Sequence, residues 1–267
     1  MSTTTTPSAS RIVPVLGSKG GTGRTTTVVH LAAALARQGR RVAVMDTTAL
    51  GDCTEWIQDA QTDSTDGEEL SFELLETTGQ ALPATNAEIV LVDTDGNGPA
   101  YARIRPILDA ATLALIPLQP SPIDVNSLWA TLDILDTQHP HLPTLALLTR
   151  ANPATTLYRE TRAVLAKEST SALAASIPDW VEFTDSVGTV PAASAPWDAA
   201  AAELLRRLFP TAPAREPMRP SSFALPQSTR ERPLWARYTT GTPMNRLVAD
   251  AVDAAYPAPP AMESPSA

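Results

Sequence analysis

The stretch VPVLGSKGGTGRTTTVVHLAAAL, residues 13–35, constrains this chain more than any other. An apolar run, a glycine-rich turn and an apolar helical pattern follow one another without a break. Gly20, Gly21 and Gly23 let the backbone turn tightly and aim N–H groups inward around Lys19 and Thr22. A helix beginning near Arg24 adds the positive end of its dipole. Strand, turn and helix in this order make a seat for a phosphate group. Thr25 offers a hydroxyl to Mg²⁺, and Thr26 offers one to a further phosphate oxygen. The strict form of the pattern has Gly at 18 and Lys at 24, where this chain has Ser18 and Arg24. A lysine does occur, five residues before Arg24, at Lys19. The competing reading is a glycine-rich turn with no ligand.

The rest of the chain repeats the alternation. RIVPVLG precedes a helical pattern over 25–38, and RVAVMD precedes a polar stretch. EIVLVD follows, then TLALIPL with 124–138, LPTLALLT with 156–167, and ALAASIP with 197–209. Short apolar strands alternating with helices predict an α/β fold whose twisted, mostly parallel sheet is covered by helices on both faces. Pro14 lacks a ladder donor, which makes a bulge one expectation for its strand. Residues 58–88 are acidic and poor in apolar side chains, and read as a long loop with at most a short helix. Residues 1–10 read as a disordered leader. The domain spans 11–209. From 210 to 267 the chain is rich in Pro, Arg and Ser and cannot build a core. One short amphipathic helix is expected there over 243–256.

A length of 267 residues accommodates one such domain plus extra segments. The lone Cys53 excludes an internal disulfide and a cysteine-based metal site, and fits a reducing cytoplasm. No run of eighteen apolar residues exists to span a membrane. The first ten residues lack the basic and apolar regions of a secretory signal. A net charge of −9 does not mark the whole surface as nucleic-acid binding. Charge is uneven, however: from Arg206 to Tyr238 there are seven arginines against Glu216 and Glu231. Arg206, Arg207, Arg215 and Arg219 are the candidate contacts to DNA phosphates, read without regard to base sequence. The alternative is a flexible, soluble tail whose charge has no partner.

SKGGTGRTT resembles the deviant Walker A loop, KGGxGK[ST], of the ParA/MinD ATPases. RVAVMDTTALGDCTEW is similar to the switch I segment of that family, which usually ends in DxDPQ. EIVLVDTDGNG resembles its Walker B strand and switch II, and PLQPSPIDVNS a stretch typical of plasmid-partition members. LLTRANPATTLYRE and SIPDW resemble the segments that contact adenine. The similarity extends to about residue 209. It is greatest to small ParA proteins without an N-terminal helix-turn-helix.

The resemblance implies an ATPase that binds ATP and Mg²⁺, dimerises around the nucleotide and binds nucleoid DNA nonspecifically. A centromere-binding or cargo adaptor protein then triggers release. In this reading Lys19 reaches across the dimer to the partner's phosphates, and Arg24 takes the second lysine's place. Thr25 is a direct Mg²⁺ ligand, Asp93 holds the metal shell through water, and Asp46 supports it. Thr149, Arg150 and Pro178 lie near the base. Thr48 stands where the family has the aspartate that positions the attacking water. It can hydrogen-bond water but cannot accept its proton, and such a loss costs on the order of 10²–10⁴ in rate. The planar, forked guanidinium of Arg24 differs from a compact ammonium. Both departures favour binding over turnover, so weak hydrolysis is expected; Asp52 or Asp95 could supply a substitute carboxylate.

Two other functions compete. One is a nucleotide-gated scaffold that does not hydrolyse. The other is a metabolic enzyme of the same superclass, either a synthetase or a reductase; the single cysteine opposes the reductase. MinD relatives carry a basic membrane-targeting helix, whereas Asp250 and Asp253 outnumber Arg246 here, so stable membrane association is not expected. His30, His139 and His141 form no metal-ligand pattern, and His30 reads as a packing residue.

Overall fold

The computed structural model describes residues 10–17, 19–62, 70–76, 82–95 and 98–210. The expected leader (except Ser10), the basic tail beyond Pro210, with Arg215 and Arg219, and the helix expected over 243–256 lie outside these residues. The described chain runs β1 (Arg11–Val15), α1 (Arg24–Arg37), β2 (Val42–Asp46), α2 (Asp52–Thr62), β3 (Glu73–Leu75), β4 (Ile89–Asp93), α3 (Gly98–Arg103) and α4 (Arg105–Ala110). It continues with β5 (Ala114–Leu118), α5 (Pro122–Gln138), β6 (Thr144–Leu148), α6 (Thr156–Lys167), β7 (Ala172–Ser176), α7 (Val181–Asp185) and α8 (Ala195–Leu208).

The strands form one sheet in the order β3-β2-β4-β1-β5-β6-β7, and every recorded pairing is parallel. Alternate side chains on each strand enter opposite layers. Val13, Val44, Leu91, Leu115 and Leu147 pack with α1, α2, α7 and α8. Ile12, Met45, Val92, Ile116 and Leu148 pack with α3 to α6. Burial on both faces explains why the strands read as continuous apolar runs. The order reverses at β1, which lies between β4 and β5. In an open parallel sheet, the crevice at the carboxyl end of such a strand is where ligands bind. The glycine loop lies there.

Pro14 causes no bulge. β1 pairs with β4 in unbroken register, from Arg11↔Ile89 to Val15↔Asp93. Leu16 N–H donates to Leu115 O, so the proline nitrogen two residues earlier faces β5 as well. The missing donor therefore thins only the β1–β5 ladder, where the one paired position is Val15↔Leu115. The irregularity falls instead in β7, where Ala146↔Ala172 and Leu148↔Ser176 set two steps of β6 against four.

The reading of 58–88 also needs correction. α2 continues to Thr62, and β3 adds an edge strand. Cys53, Trp56, Ile57 and Ala60 form the buried stripe of α2, at helical spacing within a polar sequence. Among the described residues no helix is long and apolar enough to cross a membrane.

Candidate functional site

The glycine loop joins β1 to α1. Gly21 and Gly23 have φ of 77° and 87°, the left-handed region that favours glycine. Gly23 is the N-cap of α1 and has no side chain to bond the first-turn amides, which leaves those N–H groups for a ligand. A Cβ placed on Gly20, Gly21 or Gly23 would meet nothing within 4 Å, so the cradle is open.

Asp93 ends β4 beneath this loop and is fully buried. Thr25 Oγ1 donates to its Oδ2 at 2.7 Å, and Thr94 N–H to its Oδ1 at 3.0 Å. Burial pushes the carboxyl up to about 7; Thr25 pulls it back, nearby Asp46 adds to the rise, and Arg24 and the Thr94 amide oppose it. Hydroxyl and carboxylate oxygens are the hard donors Mg²⁺ prefers, and a cation would offset the desolvation of Asp93. The pair therefore fits the metal expected from the sequence.

Asp46, at the end of β2, is engaged by its own loop. Its Oδ1 accepts from Thr48 N–H at 2.9 Å and Thr48 Oγ1 at 2.7 Å, and its Oδ2 from Thr54 N–H at 2.9 Å. Thr48 Oγ1 also accepts from Gly51 N–H at 3.1 Å. The hydroxyl of Thr48 is thus held inside the loop after β2.

The two cations take different positions. Arg24 fills the inside of the loop: Nη1 donates to Lys19 O at 2.6 Å and Gly17 O at 3.3 Å, while Nε donates to Thr94 O at 3.0 Å. The guanidinium ties the glycine loop to the end of β4. Lys19 turns outward to Asp124 in the first turn of α5, with Nζ 2.6 Å from Oδ1. Burial would raise the Asp124 carboxyl, but hydrogen bonds from Lys19, the Gln119 amide and Ser121 outweigh it and hold the group below its usual range. Ser121 is the N-cap of α5, and its Oγ accepts from Asp124 N–H at 3.1 Å.

Thr149, Arg150 and Pro178 come together with Thr22, Gly23 and Thr26. They line a cavity together with Ile177, Trp180, Phe183 and Trp197. Thr149 Oγ1 donates to Thr22 O at 3.1 Å, joining this cavity to the glycine loop. Arg206 and Arg207 lie exposed in the last turn of α8, away from the cavity lining. Sequence reasoning assigned no role to Asp124, although Ser-Pro-x-Asp is a readable N-terminal cap. It also passed over Tyr101 of α3, whose hydroxyl accepts from Gly17 N–H at 3.1 Å. No periodic signal marks that contact.

A maintenance of carboxysome distribution protein A from Gloeobacter kilaueensis is 34% identical over 158 residues, covering 55% of this chain and 67% of that protein. A virC1 protein from Rhizobium rhizogenes is 31% identical over 144 residues, 49% of this chain and 61% of that one. The chain thus spans about two thirds or less of these relatives' lengths. The crystal structure of a putative plasmid partition protein from Borrelia burgdorferi bound to AMPPNP superposes with a TM-score of 0.59 at 12% identity, covering 74% of this chain and 98% of that one. MinD from Pyrococcus furiosus does so at 0.56 and 16%, covering 74% and 99%. Residues 13–191 match the model of the CobQ/CobB/MinD/ParA nucleotide binding domain, and the chain belongs to that family.

Proposed function

We propose that this protein is a ParA-type ATPase. It binds ATP with Mg²⁺, dimerises around the nucleotide, and uses the dimer's affinity for DNA to position a cargo through an adaptor protein. The observation that carries the reading is the Thr25–Asp93 pair at 2.7 Å, set under an open glycine loop with uncapped amides. Gly20 to Gly23 and the first turn of α1 would receive the phosphates; Thr25 directly, and Asp93 through water, would hold the metal. Bound Mg²⁺ supplies charge neutralisation at the phosphate oxygens. Thr149, Arg150 and Pro178 would receive the base. The neighbour from B. burgdorferi was crystallised with AMPPNP, and a cobyrinic acid a,c-diamide synthase from Mycobacterium smegmatis, with a TM-score of 0.53 at 21% identity, with an ATP analogue and magnesium.

Lys19 is the expected trans contact. Dimerisation would then exchange the Asp124 ion pair for a partner's phosphates, two states of one half-exposed side chain. Lys19→Ala should retain ATP uptake by calorimetry and lose the ATP-dependent increase in mass by light scattering. An unchanged dimer would remove the trans role, and absence of ATP uptake by the native protein would remove the whole reading.

DNA binding has support at the opposite end of α1. Arg40 and Arg11 lie over the ring of Phe209, at 4.8 and 5.7 Å, close in sequence to the exposed Arg206 and Arg207. Arg37 and Arg41 adjoin them, with Asp198 and Glu88 as their acidic partners. Such a surface suits a polyphosphate backbone.

A second reading, a nucleotide-gated scaffold without turnover, is favoured by Thr48, whose hydroxyl is already engaged by Asp46 and Gly51. Phosphate release measured with DNA and adaptor present separates the two.

A further inference from the structure

The loop after β2 presents no carboxylate where the family positions water, yet one lies against it from the neighbouring strand. Four of the carboxylates on this side of the sheet are accounted for. Asp46 is bonded by Thr48 and Thr54, Asp93 by Thr25 and Thr94, and Asp124 by Lys19, Gln119 and Ser121. Asp52 is exposed in the first turn of α2, where an acid suits the helix dipole. Asp95 is the fifth. It stands two residues past Asp93, and its neighbour Thr94 accepts Arg24 Nε inside the glycine loop at 3.0 Å. Its Oδ1 accepts from the N–H of Ala49, the residue after Thr48, at 3.2 Å. Its Oδ2 is held by Arg103 of α3. With its side chain 22% exposed, Asp95 sits on the seam between the two loops, each oxygen accepting one of these bonds and keeping a lone pair for a further one.

We propose that Asp95 is the water-orienting carboxylate of this protein, acting from the loop after β4 in place of the one absent at Thr48. The inference rests on the ATPase reading above. In hydrolysis the water oxygen bonds to the γ-phosphorus and the bridging P–O bond breaks, its electron pair leaving on ADP. The surplus proton of the water ends on the released phosphate. A carboxylate that accepts a hydrogen bond from that water aims its lone pair at phosphorus, the positioning that phosphoryl transfer most requires. Thr48 Oγ1 is turned into its own loop, donating to Asp46 and accepting from Gly51 N–H, and as a hydroxyl it is the weaker acceptor for water. Arg103 fixes the other oxygen of Asp95, so the acceptor does not swing away with the loop. Sequence left Asp52 and Asp95 equivalent; the contact with Ala49 separates them.

The test uses the full chain with Mg-ATP and DNA. Asp95→Asn should lower kcat by about 10²-fold while ATP affinity by calorimetry stays within about twofold, and Asp52→Asn should leave both within about twofold. Adding Thr48→Asp to Asp95→Asn should recover about tenfold or more of the lost rate, because it returns a carboxylate to the vicinity of the water. Hydrogen exchange of the ATP-free protein gives a readout apart from turnover. The Ala49 amide should exchange faster in Asp95→Ala and near the native rate in Asp95→Asn, which keeps an acceptor oxygen. Full turnover by Asp95→Asn overturns the assignment. So does failure of Thr48→Asp to restore any rate, which would reduce Asp95 to holding the loop. A native protein that takes up ATP and releases no phosphate also overturns it while leaving the nucleotide reading intact; one that takes up no ATP overturns both.

Discussion

His30 shows how one residue of the first helix ties α1 to α2, α7 and α8. Its ring stacks on Trp197, with centroids 5.2 Å apart and planes 13° from parallel, and meets Trp56 and Phe183 edge-on. Ser186 Oγ donates to Phe183 O, so the 2.9 Å contact with His30 is a donation from Nε2–H to Ser186 Oγ. Burial lowers the imidazole to about 4, and the charge of Arg37 adds to the effect. A group depressed on folding binds fewer protons in the native state. Above the unfolded value of about 6.5 both states are neutral and His30 contributes no pH dependence. As pH falls from there, the unfolded chain takes up a proton that the folded one refuses, and stability is lost until the folded ring titrates near 4. At pH 5 the loss relative to pH 7 is about 2 kcal/mol. Asp93, raised to about 7, works in the opposite sense, gaining stability as pH falls, in any variant that keeps it. Urea midpoints of the native protein and His30→Phe at pH 7 and pH 5 therefore isolate the histidine. The native protein should lose about 2 kcal/mol more than the variant, and equal losses would show that the ring is not held neutral.

At the scale of elements, β7 is the most instructive. It is an edge strand, and its irregular pairing with β6 leaves backbone groups near its middle without a ladder partner. Two side chains supply the partners. Glu203 of α8 accepts from the N–H groups of Ala174 and Ala175 at 2.8–3.1 Å, and Arg162 of α6 donates to the carbonyls of Leu173, Ala174 and Ala175. A covered edge resists pairing with another chain. Glu203→Ala should lower stability by about 1–2 kcal/mol in urea denaturation and raise self-association in concentrated solution, since both donors become available. An unchanged midpoint would show that water serves them as well. The sequence carried the strands and major helices because both sheet faces are buried, so each central strand is an apolar run, as Ile89–Val92 is in β4. It did not carry β3, which has three residues and one buried side chain. α3 and α4, six residues each, are too short for a periodic signal. In the site, glycines, hydroxyls and strand-end aspartates were legible because their chemistry depends on local order. Contacts over long separations were not: Lys19 with Asp124, Gly17 with Tyr101 and Ala49 with Asp95 depend on which strands are neighbours.

At the scale of the described domain, one helix links the glycine loop to a cluster of arginines. α1 rises from the glycine loop for fourteen residues, about 21 Å, and ends among Arg37, Arg40 and Arg41. The arginine end lies beyond the amino ends of β1 and β2, on the side away from the candidate nucleotide site. Arg11, Arg37, Arg40 and Arg41 lie there against Asp198 and Glu88, and the exposed Arg206 and Arg207 shortly precede Phe209, whose ring Arg11 and Arg40 cover, although the full chain carries a charge of −9. A dimer closing over its glycine loops would leave both arginine ends outward and free for a polyanion. Cations that neutralise phosphates release counterions, so removing one arginine–phosphate pair should reduce the slope of log affinity against log salt by about 0.9. Arg40→Ala combined with Arg41→Ala should therefore flatten that slope by nearly 2 for a duplex of arbitrary sequence. Arg206→Ala with Arg207→Ala should do the same. ATP uptake should not change in either variant, because these residues are remote from the cavity that Thr149 and Pro178 line. Fluorescence anisotropy across a salt series with Mg-ATP present measures the slope directly. A slope equal to that of the native protein in both variants would move the DNA surface off this end of the fold, and a slope flattened only by the Arg206 and Arg207 changes would confine it to α8.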